Sequence, residues 1–147
     1  MENIRKANTA IAIIILMVLS VGQSYPRSHP GEIEDMKVAL YSACSKKFPI
    51  TEEMKANAKN GIFSEDRGFK CFVMCVFEEV SLIDDEGNID ESSLIAMADG
   101  DMKPLIEDAA KTCLPNIAGK PDSCEVAFNF VVCSMNINKK LIELLPV

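Results

Sequence analysis

The chain has 147 residues, 48% of them hydrophobic, and a formal net charge of −7 at pH 7. Its length suits one domain with a core of its own. The acidic balance argues against nucleic acid and anionic membrane surfaces as partners, because both are themselves negatively charged.

The first element is a short apolar segment typical of a secretory leader. Two basic residues precede an unbroken apolar run, residues 10–19, which is too short to span a bilayer. Small residues favour cleavage after Gly22, with cleavage after Ser24 as the alternative. A cleaved leader is favoured over an uncleaved membrane anchor. We therefore expect a signal peptide over residues 1–22 and a secreted domain over residues 23–147. Removing the leader takes away one net positive charge and leaves −8.

The rest of the chain predicts an all-α fold of six helices, because no segment shows the sustained alternation typical of a strand. Thr, Asp and Pro mark the helix starts, and Gly and Pro mark the ends. The third predicted helix is apolar almost all round and therefore belongs at the centre of the fold. In chain order, the predicted helices cover residues 32–46, 51–59, 66–83, 90–98, 101 to the loop that begins at Pro115, and 121–137.

Six cysteines constrain the fold most: Cys44, Cys71, Cys75, Cys113, Cys124 and Cys133. An even count in a secreted chain is typical of three disulfides. Cys71 and Cys75 leave one helix face nearly parallel, so they should not bond each other. Cys124 and Cys133 lie about 13 Å apart along the sixth predicted helix, beyond disulfide reach. These two exclusions leave about ten of the roughly fifteen connectivities open.

The gaps between these cysteines are 26, 3, 37, 10 and 8 residues. This spacing resembles that of the six-cysteine insect odorant-binding proteins, and the gaps of three and eight are its most specific part. The resemblance covers nearly all of the expected mature chain. It implies the disulfides Cys44–Cys75, Cys71–Cys124 and Cys113–Cys133 around an apolar cavity.

The same resemblance implies a function. Such proteins carry small hydrophobic, semi-volatile ligands, namely odorants or pheromones, through the lymph around chemosensory neurons or through another secreted fluid. A chemosensory receptor and a second copy of the chain in a homodimer are the candidate protein partners.

Apolar side chains on the predicted helices are candidates for ligand contact, although each suits an ordinary core equally well. Tyr41 offers a hydroxyl that could orient the polar end of a ligand. Methionine is common at adaptable binding surfaces, and the chain has eight, two of them in the leader. The apolar candidates are Leu40, Phe72, Val76, Leu94, Met97, Leu105, Ala109, Phe128, Val131 and Met135.

The last seven residues, 141–147, here called the tail, are too apolar to expect in free solvent. Pro146 prevents a simple helix to the terminus. We expect the tail to fold over the cavity mouth as a lid and to bury Ile142, Leu144 and Leu145. The alternative is that it packs on an external groove or on a partner subunit.

Metal and catalytic sites lack the residues they need. The turn at residues 84–90 resembles a calcium loop, but aligning Gly87 with the invariant glycine puts Leu82 and Ser93 where acids are required. His29 is the only histidine and no free cysteine is expected, so zinc, Ser-His and Cys-His sites are incomplete. We therefore predict no metal, no cofactor and no enzymatic activity.

A membrane-active module resembling the saposins is the alternative, since saposins also have six cysteines. The short gap between Cys71 and Cys75, the extra length and the acidic charge disfavour it. A secreted phospholipase is more remote, because a helical His–Asp pair is absent. We therefore expect no stable membrane insertion.

Overall fold

The computed structural model describes residues 30–117, 119 and 122–147. Within these ranges, residues 31–147 form one compact unit. The predicted all-α class is confirmed, since the described residues contain no β-strand and only an isolated bridge between Ile83 and Ile89. The predicted signal peptide, its cleavage site and His29 lie outside the described residues. The described elements are α1 (Pro30–Lys47), α2 (Glu52–Lys59), α3 (Arg67–Glu79), α4 (Glu91–Met97), α5 (Met102–Ile117), α6 (Ser123–Ile137) and a 3-10 helix (Lys139–Leu144).

Side-chain caps explain where most of these helices begin. A capping oxygen accepts a hydrogen bond from a backbone N–H that has no partner within the helix. The predicted caps at Thr51 of α2 and Asp90 of α4 are confirmed. Asp66 caps α3, and Asp122 caps α6 by accepting from two backbone N–H groups.

Two helix ends differ from the prediction. α3 ends at Glu79 rather than at residue 83, because Ser81 has a φ of 56° and turns the chain out of the helix. α5 continues through Pro115 to Ile117 instead of ending before the proline. The missing proline N–H costs little there, since it would bond the carbonyl of Lys111, an exposed residue that water can reach.

α3 lies at the centre of the core, as its apolar sequence predicts, and packs mainly against α6. Phe69, Phe72 and Val73 of α3 are fully buried. The ring of Phe69 meets Phe128 of α6 edge to face, with 6.4 Å between the ring centroids. Such aromatic contacts add to the stabilisation from burial.

Three disulfides hold the helices together: Cys44–Cys75, Cys71–Cys124 and Cys113–Cys133. These are the pairs that the family resemblance implies. They tie α3 to α1 and to α6, and they tie α5 to α6. No free cysteine occurs in the described part of the chain. Because each bond closes a loop of 20 to 53 residues, the helices stay in place without a fully solid interior.

Candidate functional site

An apolar cavity of about 320 Å³ lies among α1, α3, α4, α5, α6 and the tail. Ligand pockets in proteins span roughly 300 to 1,000 Å³, so this cavity suits a small ligand. α2 contributes no residue to the cavity wall.

The inner wall of the cavity is formed by side chains of α3, α5 and α6. Val76 and Phe77 of α3, Ile106 of α5, and Phe130 and Met135 of α6 are all buried and all line the cavity. The rings of Phe77 and Phe130 meet edge to face, with centroids 6.0 Å apart. Close packing behind these side chains fixes the shape of the inner wall.

Other parts of the cavity wall carry large apolar side chains that water also reaches. Ile33 and Met36 of α1, Met97 of α4 and Leu144 of the tail line the cavity, and each is between 39% and 51% exposed. A cluster of exposed apolar side chains on the surface of a protein typically marks an interaction site. We call these four side chains the mouth of the cavity.

Four methionines line the cavity, each from a different helix: Met36, Met97, Met102 and Met135. Methionine is unbranched and polarizable, so it repacks around ligands of different shape at little cost. The cavity therefore combines a fixed aromatic inner wall with adaptable side chains.

Polar groups in the cavity wall are few: Lys37, Asp99, Ser134 and Glu143. The hydroxyl of Ser134 donates to the carbonyl of Phe130 at 2.7 Å, so its hydrogen is already used within α6. Asp99 and Glu143 are exposed. The wall is thus suited to a ligand that is mostly apolar and has few polar groups.

The tail forms part of the cavity wall. The side chain of Asn138 accepts a hydrogen bond from the N–H of Lys140 and starts the 3-10 helix. Leu141 and Leu145 are then only 6% and 9% exposed, and residues 141–145 all line the cavity. Leu141 and Leu145 therefore pack against the rest of the compact unit, whereas the predicted burial of Leu144 is wrong, since this side chain is 44% exposed.

Comparison with known proteins identifies the family. Residues 28–136 match the family described as PBP/GOBP. The chain belongs to this insect odorant-binding protein family. Members of the family are carriers, not enzymes.

Individual relatives of this chain are distant in sequence but similar in fold. The chain is 23% identical over 115 residues to general odorant-binding protein 72 of Anopheles gambiae, an alignment covering 76% of this chain and 94% of the relative. Odorant-binding protein 7 of Anopheles gambiae, in complex with an azo compound, superposes with a TM-score of 0.70 at 23% identity, covering 82% of this chain and 99% of that one.

A cockroach pheromone-binding protein, from Leucophaea maderae and in complex with the fluorescent reporter ANS, superposes with a TM-score of 0.57 at 22% identity. That superposition covers 75% of this chain and 98% of the cockroach protein. Both structural relatives therefore share the helical fold of this chain over almost their whole length.

Most of the ligand-contact candidates named from the sequence lie in the wall of the cavity. They come from α1, α3, α4, α6 and the tail, and so reach the cavity from several sides. These residues are Leu40, Val76, Leu94, Met97, Val131, Met135, Ile142, Leu144 and Leu145.

Five of the candidates lie outside the cavity, and the reason is their position on the helices. Phe72, Ala109 and Phe128 are buried in the solid core, where Phe72 and Phe128 both pack near Phe69. Tyr41 packs edge-on against Phe72, and the ammonium of Lys55 lies 4.2 Å from the centre of its ring. Leu105 packs partly buried against the core.

Sequence reasoning missed other residues of the wall, and α1 carries the clearest signal among them. Ile33, Met36, Lys37 and Leu40 follow helical spacing and form one stripe, of which only Leu40 was named. The remaining missed residues are Phe77, Val80, Leu82, Ala98, Asp99, Met102, Ile106, Phe130, Ser134, Leu141 and Glu143.

The acidic turn that resembles a calcium loop is held by its own hydrogen bonds. The carboxylate of Asp84 accepts from the N–H of Glu86 and from the backbone and side chain of Asn88. Chiefly the Asn88 hydrogen bonds lower the pKa of Asp84. The carboxylate of Asp84 thus stabilises the backbone of the turn through these hydrogen bonds.

Cys44, Cys75 and Glu79 lie close enough to suggest a metal site, but the two sulfur atoms are bonded to each other. In the part of the chain that the structure describes, no helix is long and apolar enough to cross a membrane.

Proposed function

We propose that this odorant-binding protein is a secreted carrier that holds a small hydrophobic molecule in the apolar cavity and moves it through an aqueous fluid. The observation that carries the proposal is the composition of the cavity wall. Large apolar side chains from five helices and the tail line it, and only four polar residues interrupt them. Structural relatives in complex with an azo compound and with ANS support the same role.

Burial of apolar surface drives binding in this account. A ligand that buries about 300 Å² of apolar surface gains roughly 7 to 8 kcal/mol at about 25 cal/mol per Å². Lost translational and rotational freedom costs about 4 kcal/mol or more. Dispersion contacts with the close-packed wall must therefore supply the rest of the roughly 8 kcal/mol that micromolar affinity requires. Release into a receiving fluid or membrane is then feasible.

The ligand enters at the mouth, where Ile33, Met36, Met97 and Leu144 face both the cavity and water. In this proposal the tail acts as the lid. It is held by the buried side chains of Leu141 and Leu145, and its half-buried Ile142 closes over the ligand. The four methionines let the wall adjust to ligands of different shape.

A cavity-filling substitution tests the carrier function. Val131 of α6 lines the cavity and is half-buried, whereas Val38 of α1 is 62% exposed and lies outside it. Val131→Trp puts an indole into the ligand space, and Val38→Trp adds the same group to the surface. Titration with the neutral fluorophore N-phenyl-1-naphthylamine measures binding, and circular dichroism confirms the fold of each variant.

We expect the probe to bind the natural protein with saturable, micromolar-scale affinity and to be displaced by medium-chain alcohols and esters. Val131→Trp should weaken the probe by about tenfold or more, a loss of roughly 1.4 kcal/mol. Val38→Trp should leave it unchanged. Failure of the folded natural protein to bind, or equal binding by both variants, contradicts the proposal.

A further inference from the structure

One charged residue interrupts the apolar face of α1 that lines the cavity. The stripe that α1 presents to the cavity consists of Ile33, Met36, Lys37 and Leu40, at the spacing of one helix face. Lys37 lies in the middle of this stripe, with apolar neighbours one turn before and one turn after it. A charge at a position that the local pattern reserves for an apolar side chain is a typical sign of a functional residue.

Lys37 is also the most covered of the ionisable groups in the wall. Its side chain is 23% exposed, while Asp99 and Glu143 are exposed residues. In the described part of the chain it forms an ion pair with Glu34 at 3.5 Å, within one turn of α1. The side chain of Glu34 is 70% exposed, so water and salt screen its side of the pair, and the pair contributes little to stability. The ammonium can therefore exchange Glu34 for another anion at low cost.

Lys37 differs chemically from the other polar groups of the wall. An ammonium offers three hydrogen-bond donors, whereas the hydroxyl hydrogen of Ser134 is already donated to Phe130. The negative charges of Asp99 and Glu143 lie where water and salt screen them within about 8 Å. A cation carried at an apolar wall, on a side chain that is only 23% exposed, favours a ligand whose chain is apolar and whose head is anionic.

We propose that Lys37 is a specificity-determining residue that pairs with the carboxylate of the ligand, so that the cavity selects medium-chain carboxylic acids over neutral molecules of the same length. This inference rests on the proposed carrier function. The competing explanation is that Lys37 only covers apolar surface with its methylene stem while its ammonium stays in water.

A matched ligand pair separates these explanations. Decanoate and 1-decanol share their chain and differ in the charge of the head. The affinity of each ligand is measured at neutral pH by its displacement of N-phenyl-1-naphthylamine. The measurement is made on the natural protein and on the variant Lys37→Met, which keeps an unbranched side chain but loses the charge. Lys111→Met is the control, since Lys111 is exposed on α5 and lies outside the cavity. This substitution changes the net charge of the protein by the same amount as Lys37→Met. Lys37→Gln serves as a second variant, and melting temperatures confirm that all variants fold.

We expect Lys37→Met and Lys37→Gln to lower the affinity for decanoate by about tenfold, the size of one charge-assisted hydrogen bond. The ratio of decanoate to 1-decanol affinity should therefore fall about tenfold in both variants, and Lys111→Met should leave that ratio unchanged. An unchanged ratio of decanoate to decanol affinity in Lys37→Met overturns the selection of carboxylates while leaving the carrier function intact. Absence of probe binding to the natural protein overturns the carrier function itself, and with it this inference.

Discussion

The contact of the tail with the cavity leads to a quantitative prediction about ligand release. Ile142 of the tail is half-buried and lines the cavity. Ile137, at the end of α6, is also half-buried and packs against the core, but it does not line the cavity. Ile142→Ala and Ile137→Ala therefore make the same chemical change at similar burial, and only the first removes atoms from the cavity wall.

The expected magnitudes follow from the atoms removed. Isoleucine to alanine removes three carbons, each worth about 0.8 kcal/mol when fully buried. At half burial, each variant should lose about 1.2 kcal/mol in the free energy of unfolding. If the ligand packs on Ile142, Ile142→Ala should lower the free energy of binding by a similar amount and speed dissociation of the ligand roughly five- to tenfold. Ile137→Ala should not change the dissociation rate.

Stopped-flow release of N-phenyl-1-naphthylamine measures dissociation, and urea denaturation measures stability. Point substitution is preferable to deletion of the tail, because Leu141 and Leu145 are nearly buried and their loss would destabilise the fold. Equal dissociation rates for the two variants, at equal loss of stability, would refute the role of the tail as a lid.

Three further predictions concern the scaffold. Replacing the Cys71–Cys124 disulfide by two alanines opens a loop of 53 residues and should lower the free energy of unfolding by about 4 kcal/mol in urea titrations; a loss under about 1 kcal/mol would contradict the account that this bond holds α3 against α6. Phe72→Ala should lower the free energy of unfolding by about 3 to 5 kcal/mol, while the folded protein keeps its affinity for the probe. A loss of that affinity would contradict the position of Phe72 outside the cavity. The hydrogen bond from Arg67 is the main cause that lowers the pKa of Asp122 below its ordinary value of 3.8. The stabilisation from the charged form of Asp122 is therefore present above about pH 4 and lost as the pH falls through the lower folded pKa, so Asp122→Ala should lower Tm more at neutral pH than in acid, and an equal drop at both would contradict this.

Local chemistry made much of the fold predictable from the sequence. Thr51 and Asp90 mark the starts of α2 and α4, because their side chains accept hydrogen bonds from backbone N–H groups in the first turn of each helix. The end of α3 was not predictable, since Ser81 enters the left-handed region without a glycine to signal it. α5 also runs past Pro115, because the proline N–H that is missing would have bonded the carbonyl of Lys111, an exposed residue that water can reach.

The cavity was harder to predict than the fold. α3 is apolar almost all round, so its sequence does not distinguish Phe72, which faces solid core, from Phe77, which faces the cavity. Hydrophobicity reports burial and not whether a space lies beyond the side chain. The stripe on α1 was readable in principle, but Lys37 at its centre hides the apolar period.

Photoaffinity labelling tests most directly whether the cavity is where an apolar ligand binds. A decanol analogue with a diazirine in its chain inserts into the residues it touches, and peptide mapping then locates the label. We expect labels on α1 near Met36, on α6 near Val131 and on the tail, all suppressed by excess decanol. Ile62, which is 61% exposed and outside the cavity, is the rival apolar surface. Saturable labelling there, with the cavity peptides unlabelled, would contradict the carrier account.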